Sequence, residues 1–144
     1  MVTTQMNLST LRNAIITKVL TIDGYRLVPF PLETFDRSQN TLAHLGFAVS
    51  LQNTAAFDER QRVNTRIFMQ TTVALVFAYR IRPHSISADY NNAMDAEINV
   101  IQTILGTYET PTGMEIRYNQ STRTFADSLE YVIITLEFVA IHTP

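Results

Sequence analysis

The side chains that could do chemistry are few and scattered. There are three histidines, His44, His84 and His142, and no cysteine. None of the three sits four residues from another histidine or from a carboxylate, the spacing a helical metal site needs. His84, Ser85 and Asp89 lie close in sequence and suggest a nucleophilic triad. The strained elbow and oxyanion glycines of such a site are missing, however, and Ser85 reads better as a helix cap. The four glycines, Gly24, Gly46, Gly106 and Gly113, include no spaced triplet and no Gly-Lys pair. No phosphate-cradling loop can therefore be assembled. Asp58-Glu59 falls in a polar loop, and Glu130 and Glu137 stand too far apart along a strand to pair. Without cysteine there is no disulfide, no thiolate zinc site and no Cys nucleophile. The expectation is a protein that is not an enzyme, with no catalytic residue, no metal and no cofactor.

Composition bounds the remaining choices. A chain of 144 residues suits a single domain spanning 1–144. Its 8 Phe and 6 Tyr supply large side chains for a core. A domain of this size buries roughly 68–70% of its unfolded surface, enough to fold without a metal or disulfide. The net charge of −2 speaks against a nonspecific nucleic-acid binder, which shows a basic face. The opening Met1-Val2-Thr3-Thr4-Gln5-Met6-Asn7 has no basic region or apolar run of a signal peptide. No run of about 18 apolar residues exists to span a membrane. The expected site of synthesis and residence is the cytoplasm, unless something carries the protein out. Of the 11 basic residues, Lys18 is the single lysine. Arginine is favoured at interfaces for its planar, bidentate fork; plain compositional drift accounts for the bias equally well.

The elements that must position these residues come from periodicity. Leu8, Leu11, Ile15, Val19 and Ile22 recur at three- and four-residue steps and predict a helix over 8–22. Arg12, Asn13, Thr17 and Lys18 fall off its apolar stripe. Asn7 or Ser9 can cap it, and Asp23-Gly24 ends it. Tyr25–Val28 predicts a short strand, stopped by Pro29 and Pro31. Residues 33–42 read as loop and 44–52 as a strand. From Arg62 to Arg82, apolar and polar residues alternate, the mark of a half-buried strand. At ~3.3 Å per residue such a strand reaches ~65 Å, twice the width of a small domain. It either breaks near Met69–Thr72 or projects as a hairpin arm paired with the strand before it; the arm is the preferred reading.

Pro83 stops that strand. Ser85 or Ser87 caps a second helix with Asp89 in its first turn. Its predicted core stripe is Tyr90, Met94, Ile98, Ile101 and Leu105. Asn92, Asp95, Asn99 and Gln102 then face water, and Gly106 closes the helix. Met114–Tyr118 predicts a short strand, 119–128 a polar loop, and 129–141 a last strand. That strand is apolar on both faces, which places it centrally in a sheet covered on both sides. The fold class expected is α+β: two helices packed on a mixed or antiparallel sheet, with a projecting β-hairpin arm.

This order of elements resembles the tail terminators of tailed bacteriophages, across nearly the whole chain. The likeness is carried by four segments. They are the helix Leu8–Leu20, the strand ending Leu75-Val76-Phe77-Ala78-Tyr79-Arg80-Ile81-Arg82, the helix Tyr90–Leu105 and the strand Tyr131–Phe138. Arg62–Arg66, after a flexible loop, also suits the family. The resemblance implies a structural virion protein, assembled in the host cytoplasm and located in the phage tail and neck. It implies a homo-hexameric ring that caps the tail tube, stops its polymerisation and joins tail to head. Its partners would be the tail tube protein on one face and a neck or head-completion protein on the other. Genome DNA would pass through the lumen without specific binding, so no strongly basic lumen is expected.

The subunit interface expected for that ring comprises Phe57, Arg60, Arg62, Arg66, Ile67 and Phe68 on the arm. Asp95 or Glu97 of the adjacent copy would receive the arginines. Arg60, Arg62 and Arg66 could instead only solvate one face, and Phe57 and Phe68 could fill a pocket in their own subunit. Two other classes stand beside this one. Another neck or head-completion connector would bind portal rather than tail tube. A small soluble enzyme or ligand-binding domain would show a deep pocket with converging polar groups.

Overall fold

A computed structural model of the chain describes residues 7–28, 42–56, 68–106 and 115–142. Helix α1 (Leu8–Leu20) buries Leu11, Ile15 and Val19, as the spacing predicts. It also buries Lys18, which falls off the predicted apolar stripe. Lys18 Nζ donates to the carbonyl oxygen of Ile104 at 3.1 Å. Arg12, half-buried, donates through Nε to the Val49 carbonyl oxygen at 2.7 Å. Both long stems run along apolar surface to reach main-chain acceptors. The chain then turns through Gly24, whose φ of +92° is a left-handed conformation that suits glycine.

Five strands follow in one sheet: β1 (Arg26–Leu27), β2 (Gly46–Ala56), β3 (Met69–Arg80), β4 (Glu115–Phe125) and β5 (Tyr131–His142). Their order is β1-β2-β3-β5-β4. The short β1 runs parallel to β2, and every other pairing is antiparallel. The sheet is mixed and the fold is α+β, as the periodicities predict. β5 is internal, between β3 and β4.

β4 departs from expectation: it runs through 119–125, where the sequence predicts a loop. The register slips between Tyr118 and Gln120. A bulge there inverts which residues face inward, so no single alternation spans the strand. A second bulge interrupts β2 between Leu51 and Asn53.

Helix α2 (Ile86–Leu105) packs beside α1 on the same face of the sheet. The core between helices and sheet contains Phe47, Val49, Leu75, Phe77, Ile134, Leu136 and Phe138. Among the described residues both helices lie on that one face, while Ala48, Ala74, Ala78, Ile133 and Ile141, which alternate to the other face, are buried as well. The opposite face carries a shallow groove lined by Gln52, Ala74, Gln120, Thr122, Thr135 and Glu137.

The buried stripe of α2 is also rotated from its predicted position. The side chains it buries are Asp89, Ala93, Glu97, Val100 and Ile104. Ile98 and Leu105, expected in the core, are 51% and 44% exposed. Two carboxylates take core-facing positions because an arginine meets each of them. Ser85 is the N-cap residue, but its hydroxyl donates to Asp89 Oδ2 at 3.0 Å rather than capping the backbone. Gly106 closes α2 with φ −92°, outside the left-handed region. Space is what requires glycine there, since a Cβ would lie 2.8 Å from the Gln102 carbonyl oxygen.

Candidate assembly surface

The β2–β3 hairpin is the element that sequence reasoning assigned to assembly. The two strands pair from Phe47↔Phe77 out to Ala56↔Met69. The near half of β2 is buried; from Gln52 outward it is mostly exposed. Beyond the bulge, Thr54 faces the helix side and its hydroxyl bonds that of Thr71 at 3.0 Å. The Thr71 hydroxyl in turn bonds His142 Nε2 at 2.8 Å. Thr71 and His142 are buried. This chain of polar contacts ties β2, β3 and β5 together at the base of the hairpin's outer half. A satisfied buried network of this kind fixes one register.

The expected interface residues divide as follows. Phe57, Arg60, Arg62, Arg66 and Ile67 lie outside the described residues. Phe68 lies immediately before β3 and is 39% exposed. Asp95 is exposed on the outer side of α2, together with Ile98 and Leu105. Glu97 is the correction: it is 2% exposed and held within its own chain. Arg123 donates to its carboxylate through Nε at 2.9 Å and Nη2 at 2.6 Å. Ser121 adds a longer bond of 3.4 Å. A carboxylate so buried and bonded is not presented to an arm from a neighbour. Arg123 was missed because the sequence reading placed it in a loop.

A second polar cluster lies at the opposite end of β3. Asp89 accepts from the backbone N–H of Arg82 at 2.8 Å and from its Nε and Nη2 at 3.0 Å each. These bonds from the Arg82 side chain, then from its backbone, hold the Asp89 carboxyl well below the usual carboxylate range. The His84-Ser85-Asp89 triad does not form, since the Ser85 hydroxyl is turned onto Asp89. His44 accepts at Nδ1 from the Arg80 N–H at 3.1 Å, and its ring stands edge-on to Tyr79, 4.6 Å between centroids. Burial first, then the Arg80 guanidinium, push the His44 pKa below that of ordinary imidazole; Asp89 acts in the other sense. Sequence reasoning missed this cluster; Arg80-Ile81-Arg82 before a helix with Asp89 in its first turn was the available signal.

The Asp89 pairing has a pH consequence with a definite sign. Its folded pKa lies below the unfolded value of about 3.9, so in acid the unfolded chain takes up the proton first. The stability carried by this carboxylate is present above about pH 4 and is lost as pH falls toward the folded value. Asp89→Asn should therefore flatten the acid limb of a curve of stability against pH. An acid limb identical to wild type would show that the pairing contributes nothing.

Among the described residues no group of three or more His, Cys, Asp or Glu side chains is placed to hold a metal ion. No helix among them is long and apolar enough to cross a membrane. Compared with protein-family models and with curated proteins, the sequence matches none.

Proposed function

We propose that this chain is a structural virion protein of a tailed bacteriophage, a tail terminator. In this reading six copies close into a ring on the last layer of tail tube, stop its growth and offer the other face to the neck. Genome DNA passes through the lumen without specific binding. The observation that supports it most directly is the β2–β3 hairpin. Its base is locked to β5 by Thr54, Thr71 and His142, while Ala55, Ala56 and Phe68 at its outer part are exposed. Among the described residues β1 pairs with β2 only at Gly46 and Phe47, and no other strand pairs with the rest of that β2 edge. An open edge next to apolar residues invites pairing unless something covers it. A neighbouring subunit covers it, and a heterologous contact that closes does so for every copy.

The test is charge reversal on the arm. Arg62→Glu with Arg66→Glu should weaken ring formation by about tenfold or more, the scale of a like-charge mismatch at an interface. The monomer should stay folded, since the alternation puts both arginines on the polar side of the stretch, and surface charges contribute little to stability. Light scattering reads the assembly, and electron micrographs of tails made with the variant should show lost length control or tails without heads. Assembly equal to wild type would remove the arm as the joint. A wild-type chain that is monomeric both in solution and on assembled tails would end the terminator reading.

A further inference from the structure

A cleft of 290 Å³ lies at the end of the sheet away from the hairpin, lined by His44, Tyr79, Arg80, Arg82, Asp89 and Asn92. We propose that this cleft is a carboxylate-binding site that takes the acidic side chain of a protein partner. The assignment does not depend on ring assembly.

Its lining is rich in donors. The one carboxylate there, Asp89, is already taken: Oδ2 accepts three bonds and Oδ1 a fourth, all from Arg82 and Ser85. Asp89 thus cancels Arg82 and leaves the cleft the charge of Arg80. Among the described residues Arg80 has no ion-pair partner. The His44 ring is held by the Arg80 N–H on Nδ1 and by the edge of Tyr79. With Nδ1 accepting, the proton of the neutral imidazole sits on Nε2, which becomes a donor. The Tyr79 hydroxyl and the Asn92 amide add neutral donors. One net positive charge with several fixed donors is a receptor for an anionic oxygen pair.

The anion's source follows from size and charge. The donors line one small cleft, whereas a nucleic acid engages a row of cations along its backbone. The net charge of −2 also opposes a polyanion more than it opposes a single carboxylate. A glutamate or aspartate side chain brings one charge, two acceptor oxygens and a short apolar stem. Bound there, it would raise the pKa of His44, reversing the effect of Arg80.

The experiment uses the full chain with its imidazoles observed by ¹H–¹⁵N nuclear magnetic resonance, the His44 signals being assigned with His44→Gln. The probes are glutarate, inorganic phosphate and chloride. Glutarate should shift the His44 signals saturably and raise the His44 pKa, with His84 unmoved. Arg80→Gln should weaken glutarate about tenfold or more, the loss expected for a charge-assisted bond. Asn92→Ala, a smaller change to the lining, should weaken it several-fold and serves if Arg80→Gln perturbs the fold. No saturable shift at His44, or full affinity in both variants, would overturn the site. Phosphate binding tighter than glutarate would overturn the carboxylate assignment.

Discussion

Cutting Phe77 back to alanine should lower the stability of the fold by about 3–5 kcal/mol, the range for a fully buried phenylalanine. Phe77 has no exposed surface and stands on β3 between Phe47 of β2 and Ile134 of β5. Its ring meets Tyr25 edge-on at 5.6 Å, so it also anchors the turn that leads from α1 into β1. The site cannot collapse easily, because its neighbours are held by paired strands on both sides. Domains of this size are stable by about 5–15 kcal/mol in total, so a large share of that margin would go. Urea unfolding measures the loss. Phe77→Leu, which keeps most of the volume, should cost far less. A loss near 1 kcal/mol for the alanine variant would mean that the sheet and helices are not packed as described.

Arg123→Ala should cost about 2–3 kcal/mol, and Glu97→Gln distinctly less. Removing one partner of a buried pair leaves the other charge uncompensated, at about 3–5 kcal/mol. The figure is reduced here because the Arg123 side chain is 40% exposed, and water screens such a pair. The asymmetry follows from burial. Glu97 stripped of Arg123 keeps only the long bond from Ser121 and cannot reach water. Arg123 stripped of the Glu97 charge can hydrate in place. Replacing both by leucine should be near neutral, since a well-packed apolar pair can replace a buried ion pair. Equal costs for the two single variants would sink this account.

Much of the fold was legible because large apolar side chains at regular steps leave a simple trace. Val73, Leu75 and Phe77 alternate along β3, β5 is apolar enough on both faces to read as an internal strand, and the first helix shows Leu11, Ile15 and Val19 at the proper steps. The failures in the helices share one cause, a polar side chain read as an outward one, whereas β4 was missed because its bulge breaks the alternation. Asp89, Glu97 and Lys18 are buried because each finds a specific partner, and pairing leaves no mark in periodicity. Removing Asp89 and Glu97 from the stripe rotated the predicted face of α2 and put Ile98 and Leu105 inside. The proposed assembly surface rests, in the sequence, on an alternating stretch too long for one compact domain. Of the cleft around His44 only Arg80-Ile81-Arg82 ahead of Asp89 was legible, since residues 44, 79 and 92 meet only through the pairing of β2 with β3 and the position of α2.

The two bulges have a geometric consequence. One lies in β2 beside Val73, the other in β4 beside Phe138, and Val73 and Phe138 face each other across the central pair. Each outer strand therefore spends one more residue than the strand it runs beside, at nearly the same level of the sheet. A surface whose margins are longer than its middle cannot lie flat. It bends one way along the strands and the opposite way across them, adding to the twist that bulges impose. A sheet curved in that way would tilt the two ends of β3 differently, so that a partner at the hairpin's outer half and one at the cleft would approach from different directions.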